Sequence, residues 1–256
     1  MSFIKSPGLI LHKIPFSETS IILKVYTRES GLISLIAKGA KRPKSKFRGL
    51  LDAFHELQFM YPEKSKSELL ILSEATFLSD FPQIKIDPSR QALACLVLEV
   101  YLRYLHGPLG HEPLYALLFN TLKKIENERD PASYSLLLNT FLLHFCAQLG
   151  FSPQLGQCVY CGKPITDLKV AMHVDLGGPI CNDCHRQHRE ASQPLRLNVL
   201  QWLHALQSNN GKPEKISSLE EREAEAFIFS FLGNHSGGEK KLKSLEFYRH
   251  MQLESR

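Results

Sequence analysis

The sequence predicts an α+β protein: a five-stranded barrel at the N-terminus, then an all-α domain carrying a four-cysteine module. Three observations lead there. Five short β-rich runs fall within residues 8–77, and from about residue 83 the apolar spacing lengthens to three and four. Four cysteines then stand as two Cys-x-x-Cys pairs, Cys158/Cys161 and Cys181/Cys184, with nineteen residues between the pairs. The implied organisation is a barrel over residues 1–80, a first helical part over 81–152, the cysteine module over 153–190 and a second helical part over 191–256.

The first three strands are expected at Leu9–Ile14, Ile21–Tyr26 and Leu32–Ile36, all rich in β-formers. Turn signals separate them, at Pro15–Glu18 and at Glu29–Gly31. His55–Tyr61 and Leu69–Leu72 supply two more. Five strands in about seventy residues fit a small closed barrel, and a basic loop makes an OB-fold the leading choice. A small Src-homology-3-like barrel would carry the same signature.

Helices are expected at Ile86–Leu105, Leu114–Ile125, Tyr134–Leu149, Leu195–Leu206, Glu220–Leu232 and Lys240–Met251. Pro108, Pro113 and Pro131 punctuate their starts and links. The stretch Gly233–Gly238 reads as a loop. The most apolar run, Leu136–Leu149, is broken by Asn139, Thr140 and His144, so it is a core helix and not a membrane span.

The paired hooks are the most specific chemical signal in the chain. Each places two thiolates on one side of a tight turn, and two facing turns form a tetrahedral sulfur cage suited to zinc. Gly162 lets the chain bend after the first hook, and Gly177 and Gly178 sit between the hooks, where a hairpin reverses. All four positions are cysteine, which leaves no position for substrate, so the zinc is structural. Cys95 and Cys146 sit in apolar helical patterns and read as buried free thiols. This cysteine usage, with no signal-peptide core at the N-terminus, points to the cytoplasm. His173, His185 and His188 lie near the module but are expected outside the metal shell. His12, His55 and His144 read as packing.

The net charge of +5 is uneven. Ten lysines and arginines against two acids give residues 1–50 a charge of +8, leaving −3 for the remainder. Six of those cations, Lys38, Lys41, Arg42, Lys44, Lys46 and Arg48, fall within eleven positions. Gly39, Pro43 and Gly49 make that segment a loop. A basic loop of this kind suits phosphate contacts. Phe47 has two readings: exposed, it stacks on an unpaired base; buried, it anchors the loop in the core.

No Gly-x-Ser-x-Gly elbow, nucleotide phosphate loop or His-Glu-x-x-His motif occurs, and no carboxylates form a defensible acid/base pair. A non-catalytic role is expected. A metal-dependent hydrolase would need an open metal position and a general base.

Three stretches resemble the bacterial RecO recombination mediators: Gly8–Ser20 (Gly-Leu-Ile-Leu-His-Lys-Ile-Pro-Phe-Ser-Glu-Thr-Ser), Tyr26–Gly31 and Ala37–Arg42. The order of parts is similar as well. The resemblance implies an OB-fold that binds single- and double-stranded DNA, through Lys38, Lys41, Arg42 and the loop cations after them. It implies strand annealing without nucleotide hydrolysis. It implies partnership with RecR and single-strand-binding protein, so that RecA loads onto coated DNA. It further implies that zinc, held by the four cysteines, is scaffold. One departure is in the last helix, where Leu245 stands in place of an expected arginine. The alternative is a zinc-stapled adaptor whose basic loop binds acidic protein tails.

Overall fold

The computed structural model describes residues 2–63, 67–105, 112–173, 175–188, 192–208, 213–238 and 240–254. Two compact units emerge: residues 1–131 with 242–256, and residues 132–241. Pro108 lies outside the described residues.

The first unit is built on a sheet of strands β1 (Phe3–Pro15), β2 (Ile21–Thr27), β3 (Gly31–Ala37), β4 (His55–Pro62), β5 (Leu69–Ile71) and β6 (Glu74–Asp80). Their order is β5-β3-β2-β1-β4-β6. Pairing is antiparallel except between β3 and β5. Strand β4 shows how pattern becomes fold: His55, Leu57, Phe59 and Tyr61 point inward while the residues between them are half-buried, the period-two alternation of a one-sided strand. With Ile10, Leu23, Val25 and Leu35 these side chains make the core.

Two expectations need correction. The sheet has six strands, not five, and no ladder closes it among the described residues. The sixth, β6, had no legible pattern, because Glu-Ala-Thr-Phe-Leu-Ser-Asp leaves most of both faces exposed. The connection between β5 and β6 reaches both sides of the sheet: the Leu72 N–H donates to the Ile36 carbonyl of β3 (3.0 Å), and the next N–H, of Ser73, donates to the Met60 carbonyl of β4 (2.8 Å).

Helices α1 (Pro82–Ile86), α2 (Pro88–Tyr104) and α3 (Glu112–Asn127) complete the first part of this unit. Helix α2 starts where Pro88 follows Asp87, whose carboxylate accepts from the N–H groups of Ser89 (2.9 Å) and Arg90 (3.1 Å). It is buried on several faces, with Leu93, Leu96, Val97, Val100 and Tyr101 all out of solvent.

In the second unit, α4 (Tyr134–Gln148) packs with later helices, and strands β7 (Lys169–His173) and β8 (Gly178–Ile180) lead into α5 (Asn182–Gln187). Strand β9 (Ser192–Arg196) then completes a three-stranded antiparallel sheet of order β8-β7-β9. Strands β7 and β8 form the hairpin expected between the hooks, whereas β9 occupies the start of a part expected to be all helical. Helices α6 (Leu197–Ser208) and α7 (Ser218–His235) follow. The expected loop from Gly233 starts late: Gly233 is buried inside α7, which runs on to His235.

The chain then returns to the first unit as α8 (Lys243–Glu254), where the Ser244 N–H donates to Glu99 of α2 (2.8 Å) and Tyr248 is buried. The helices therefore divide between the two units, whereas the sequence grouped 81–152 with 191–256.

Candidate nucleic-acid interface and metal centre

The basic segment leaves β3 at Ala37 and runs as successive turns to β4. Backbone hydrogen bonds shape it: Arg42 N–H to Gly39 O (3.1 Å), Ser45 N–H to Arg42 O (3.0 Å) and Arg48 N–H to Ser45 O (3.2 Å). All six cations are exposed. Three are tethered to backbone carbonyls: Lys41 Nζ to Ser17 (2.7 Å), Lys46 Nζ to Ser73 (2.5 Å) and Arg48 Nη1 to Pro43 (3.3 Å). Lys38, Arg42 and Lys44 have no side-chain partner among the described residues. None of the six meets a carboxylate among the described residues. Elsewhere cations pair readily, as in Arg28–Glu112 (2.9 Å), Lys13–Asp52 (3.2 Å) and Arg186–Asp183 (2.7 Å). The loop therefore presents an uncompensated positive field, which attracts polyanions.

Phe47 is 4% exposed and belongs to the sheet core beside Leu51 and Leu72. This corrects its place among the base-stacking candidates. The loop needs an apolar anchor to hold its turns against the sheet, and Phe47 supplies it. Lys46 Nζ covers the ring at 5.3 Å from its centroid, a cation–π contact.

In the second unit the four cysteine sulfurs come together, all within 4.8 Å of one another. The first hook is a turn closed by Gly162 N–H to Cys158 O (2.9 Å). Gly162 has φ 70°, the left-handed region that glycine adopts without strain. The second hook straddles a strand end and a helix start: Cys181 is extended (φ −69°, ψ 157°), and Cys184 sits in α5. Strand β8 carries this hook to the first, where Val159 N–H donates to Pro179 O (2.9 Å) and Cys181 N–H to Cys158 Sγ (3.4 Å). Gly177 is required by space as well as by φ (62°), since a Cβ there would lie 2.0 Å from the Phe231 ring of α7.

This donor set fits a metal. Four sulfurs about 2.3 Å from a tetrahedral zinc have edges of about 3.8 Å, and Cys161 Sγ and Cys181 Sγ stand 3.6 Å apart. That separation is far from a disulfide bond, about 2.05 Å. Without metal the thiols divide their protons unequally. Burial would raise Cys158, but N–H donors from Cys181, Cys161 and Tyr160 outweigh it and bring the thiol down to about 6. Cys184 is pushed up to about 12 by burial and by hydrogen bonds with the other three sulfurs. A bound cation would favour the thiolate at all four. The nearby histidines stay outside the sulfur group. His173 Nδ1 accepts from the N–H groups of Asp175 and Leu176 (3.2 Å each), and the His188 ring stacks on Tyr160 at 4.0 Å.

The Recombination protein O N-terminal family model matches residues 1–81, and the Recombination protein O C-terminal model matches residues 86–246. The chain belongs to the RecO family. A protein named DNA repair protein RecO from Nitrosospira multiformis is 33% identical over 176 residues, 69% of this chain and 70% of that protein. Two more of that name match over greater lengths. The one from Desulfatibacillum aliphaticivorans is 28% identical over 97% of both chains. The one from Halalkalibacterium halodurans is 26% identical over 99% of this chain and 96% of its own.

Within this RecO chain, Leu245, the departure noted in the sequence, lies half-buried in α8. Cys146 is buried, which pushes its thiol up to about 12, whereas Cys95 is half-buried and less strongly raised. Neither thiol joins the sulfur group. No helix among the described residues is long and apolar enough to cross a membrane.

Proposed function

We propose that this protein is a non-catalytic DNA repair and recombination mediator of the cytoplasm. It binds single- and double-stranded DNA through the basic loop and anneals complementary strands without ATP. The observation that carries this reading is the set of six exposed cations with no carboxylate partner among the described residues. Two DNA strands repel through their phosphates, and a protein that neutralises both lowers the barrier to pairing without bond chemistry. The first five strands, with the Leu72–Ser73 link from β3 to β4, fit a partly open OB-type barrel as the platform. The ion in the cysteine cage is zinc, and its role is to hold the module together. The resemblance to RecO mediators extends the proposal to partners: RecR, single-strand-binding protein and, indirectly, RecA, which the protein helps load onto coated DNA.

Fluorescent oligonucleotide annealing tests the mechanism directly. Reversing Lys41, Arg42, Lys44 and Lys46 to glutamate should depress DNA binding and annealing together while leaving bound metal unchanged. Annealing that needs ATP, or that survives the four reversals, is incompatible with it. A loop that lost an acidic peptide but kept DNA would instead identify the adaptor.

A further inference from the structure

The turn from Phe16 to Thr19 joins β1 to β2 and is fastened to the basic loop. Lys41 makes both links: its N–H donates to the Thr19 carbonyl (3.0 Å) and its Nζ to the Ser17 carbonyl (2.7 Å). The turn's own backbone is fixed, with the N–H groups of Phe16 (3.2 Å) and Ser17 (3.4 Å) both donating to Ser20 O. Its ring is not tucked away. Phe16 is 59% exposed, the most exposed phenylalanine among the described residues, whereas Phe47 on the adjoining loop is 4% exposed. So the loop that gathers phosphate-binding charge has a presented aromatic ring beside it, and that ring is not the one inside the basic run.

We propose that Phe16 is the platform on which an unpaired base of bound DNA stacks, and that it gives this surface its preference for single strands. The inference rests on the reading of the loop as a DNA-binding surface. Loop cations neutralise phosphates on any strand and do not distinguish single strands from duplex. A ring face does, because a base within a duplex is already stacked on both sides, whereas an unpaired base has a face to offer. The local charge agrees. Exposed Glu18 lies two residues from Phe16 and repels phosphate, so the contact made at this turn is to a base. The ring's fixed backbone means that little ordering is needed when the base arrives.

The test uses the full chain, a labelled thymidine oligonucleotide and a duplex of equal length, followed by fluorescence anisotropy. Phe16→Ala should weaken oligonucleotide binding by roughly 5- to 100-fold, the equivalent of about one stacked base. Duplex affinity should change by less than about twofold, and the salt slope should not change, because no phosphate contact is lost. Phe16→Tyr should restore binding, since its ring still stacks. Melting temperature should hold in both variants because the ring is exposed. Equal losses on both DNAs, or no loss on either, overturn the proposal. If Phe16→Ala leaves DNA binding intact but abolishes association with a protein, Phe16 and half-exposed Ile14 form a protein contact and the stacking role is wrong. The four-cation reversal separates the two failures. If it abolishes DNA binding while Phe16→Ala does nothing, only the stacking role falls. If wild-type protein binds neither DNA, the reading of the loop falls with it.

Discussion

The basic loop and the cysteine cage are opposite solutions to the same problem, a polar segment without regular structure. The cage gathers its polar atoms inward. Cys158 and Cys184 are buried, four sulfurs face one point, and local N–H groups already stabilise one thiolate. The loop turns its polar atoms outward. It keeps one aromatic anchor, Phe47, in the core and leaves six cations in solvent, none paired with a carboxylate among the described residues. The first arrangement offers four sulfurs that one cation could satisfy. The second is incomplete until a polyanion arrives. The difference teaches where to look for function: a site that satisfies itself is scaffold, and one left electrostatically unsatisfied is an interface.

The largest expected effect comes from breaking the cage. Cys181→Ser removes one of the four clustered sulfurs that could hold a metal, at the N-terminal residue of the second hook. Structural zinc in small modules is worth roughly 10–16 kcal/mol of folding free energy, so the variant should lose metal by elemental analysis and melt the second unit early. Binding of DNA through the loop should survive at temperatures where the first unit stays folded. Loss of DNA affinity in a folded, metal-free variant would show that the cage belongs to the interface after all.

Next comes the anchor. Phe47→Ala empties a site beside Leu51 and Leu72 and should cost about 3–5 kcal/mol of stability, read as an earlier urea midpoint. DNA affinity per folded molecule should fall far less. A large affinity loss with unchanged stability would return Phe47 to the surface and undo the division between anchor and cations.

The cations themselves should behave additively. If four or five phosphates are neutralised, the log–log salt slope on single strands should be about −3 to −3.5. Alanine at Lys38, Arg42 or Lys44, which have no side-chain partner among the described residues, should flatten that slope by about 0.7 each without moving the melting temperature. Lys41, Lys46 and Arg48 hold backbone carbonyls at 2.7, 2.5 and 3.3 Å, so alanine there should also loosen the loop. A slope that ignores all six would leave the charge without a role.

These regions also differed in how far the sequence revealed them. The hooks were legible because their spacing is local: two residues between cysteines make a turn whatever lies elsewhere. The cations were legible by count. The side on which Phe47 lies was not, because a run of turns has no period to separate inward from outward. Phe16 was missed for a similar reason, since exposure at a turn is decided by neighbours such as Lys41, distant in sequence. Gly177 and Gly178 marked the hairpin of β7 and β8, but the strands' limits and β9 were not legible, because the runs are three to five residues long and two contain prolines, Pro179 and Pro194. Gly233 reads as a helix end but is buried in α7, where burial of the helix overrides a weak glycine preference. The return of α8 to α2 joins residues 145 positions apart at Ser244 and Glu99, a separation at which local periodicity is silent.

The smallest effect tests how well the cage is insulated. Helix α7 supports it through Phe231, which fills the space beside Gly177. The helix begins with a capping box: the Ser217 N–H and hydroxyl both donate to Glu220 Oε2 (2.7 Å each), and the Glu220 N–H donates to the Ser217 hydroxyl (3.4 Å). Ser217→Ala should cost about 1 kcal/mol at neutral pH and leave both metal content and DNA affinity unchanged. Its pH dependence follows from Glu220, whose carboxyl is drawn down to about 2 by hydrogen bonds from the Asn198 side chain and then from Ser217. A carboxyl lowered in the folded state stabilises above its unfolded value, about 4.3, and that contribution is lost as pH falls toward 2. The variant, lacking the hydroxyl donor, has less to lose. The gap in urea midpoint between wild type and Ser217→Ala should therefore narrow as pH falls from 5 toward 2. A gap that stays constant across that range would show that the hydroxyl contributes nothing to holding the Glu220 carboxylate.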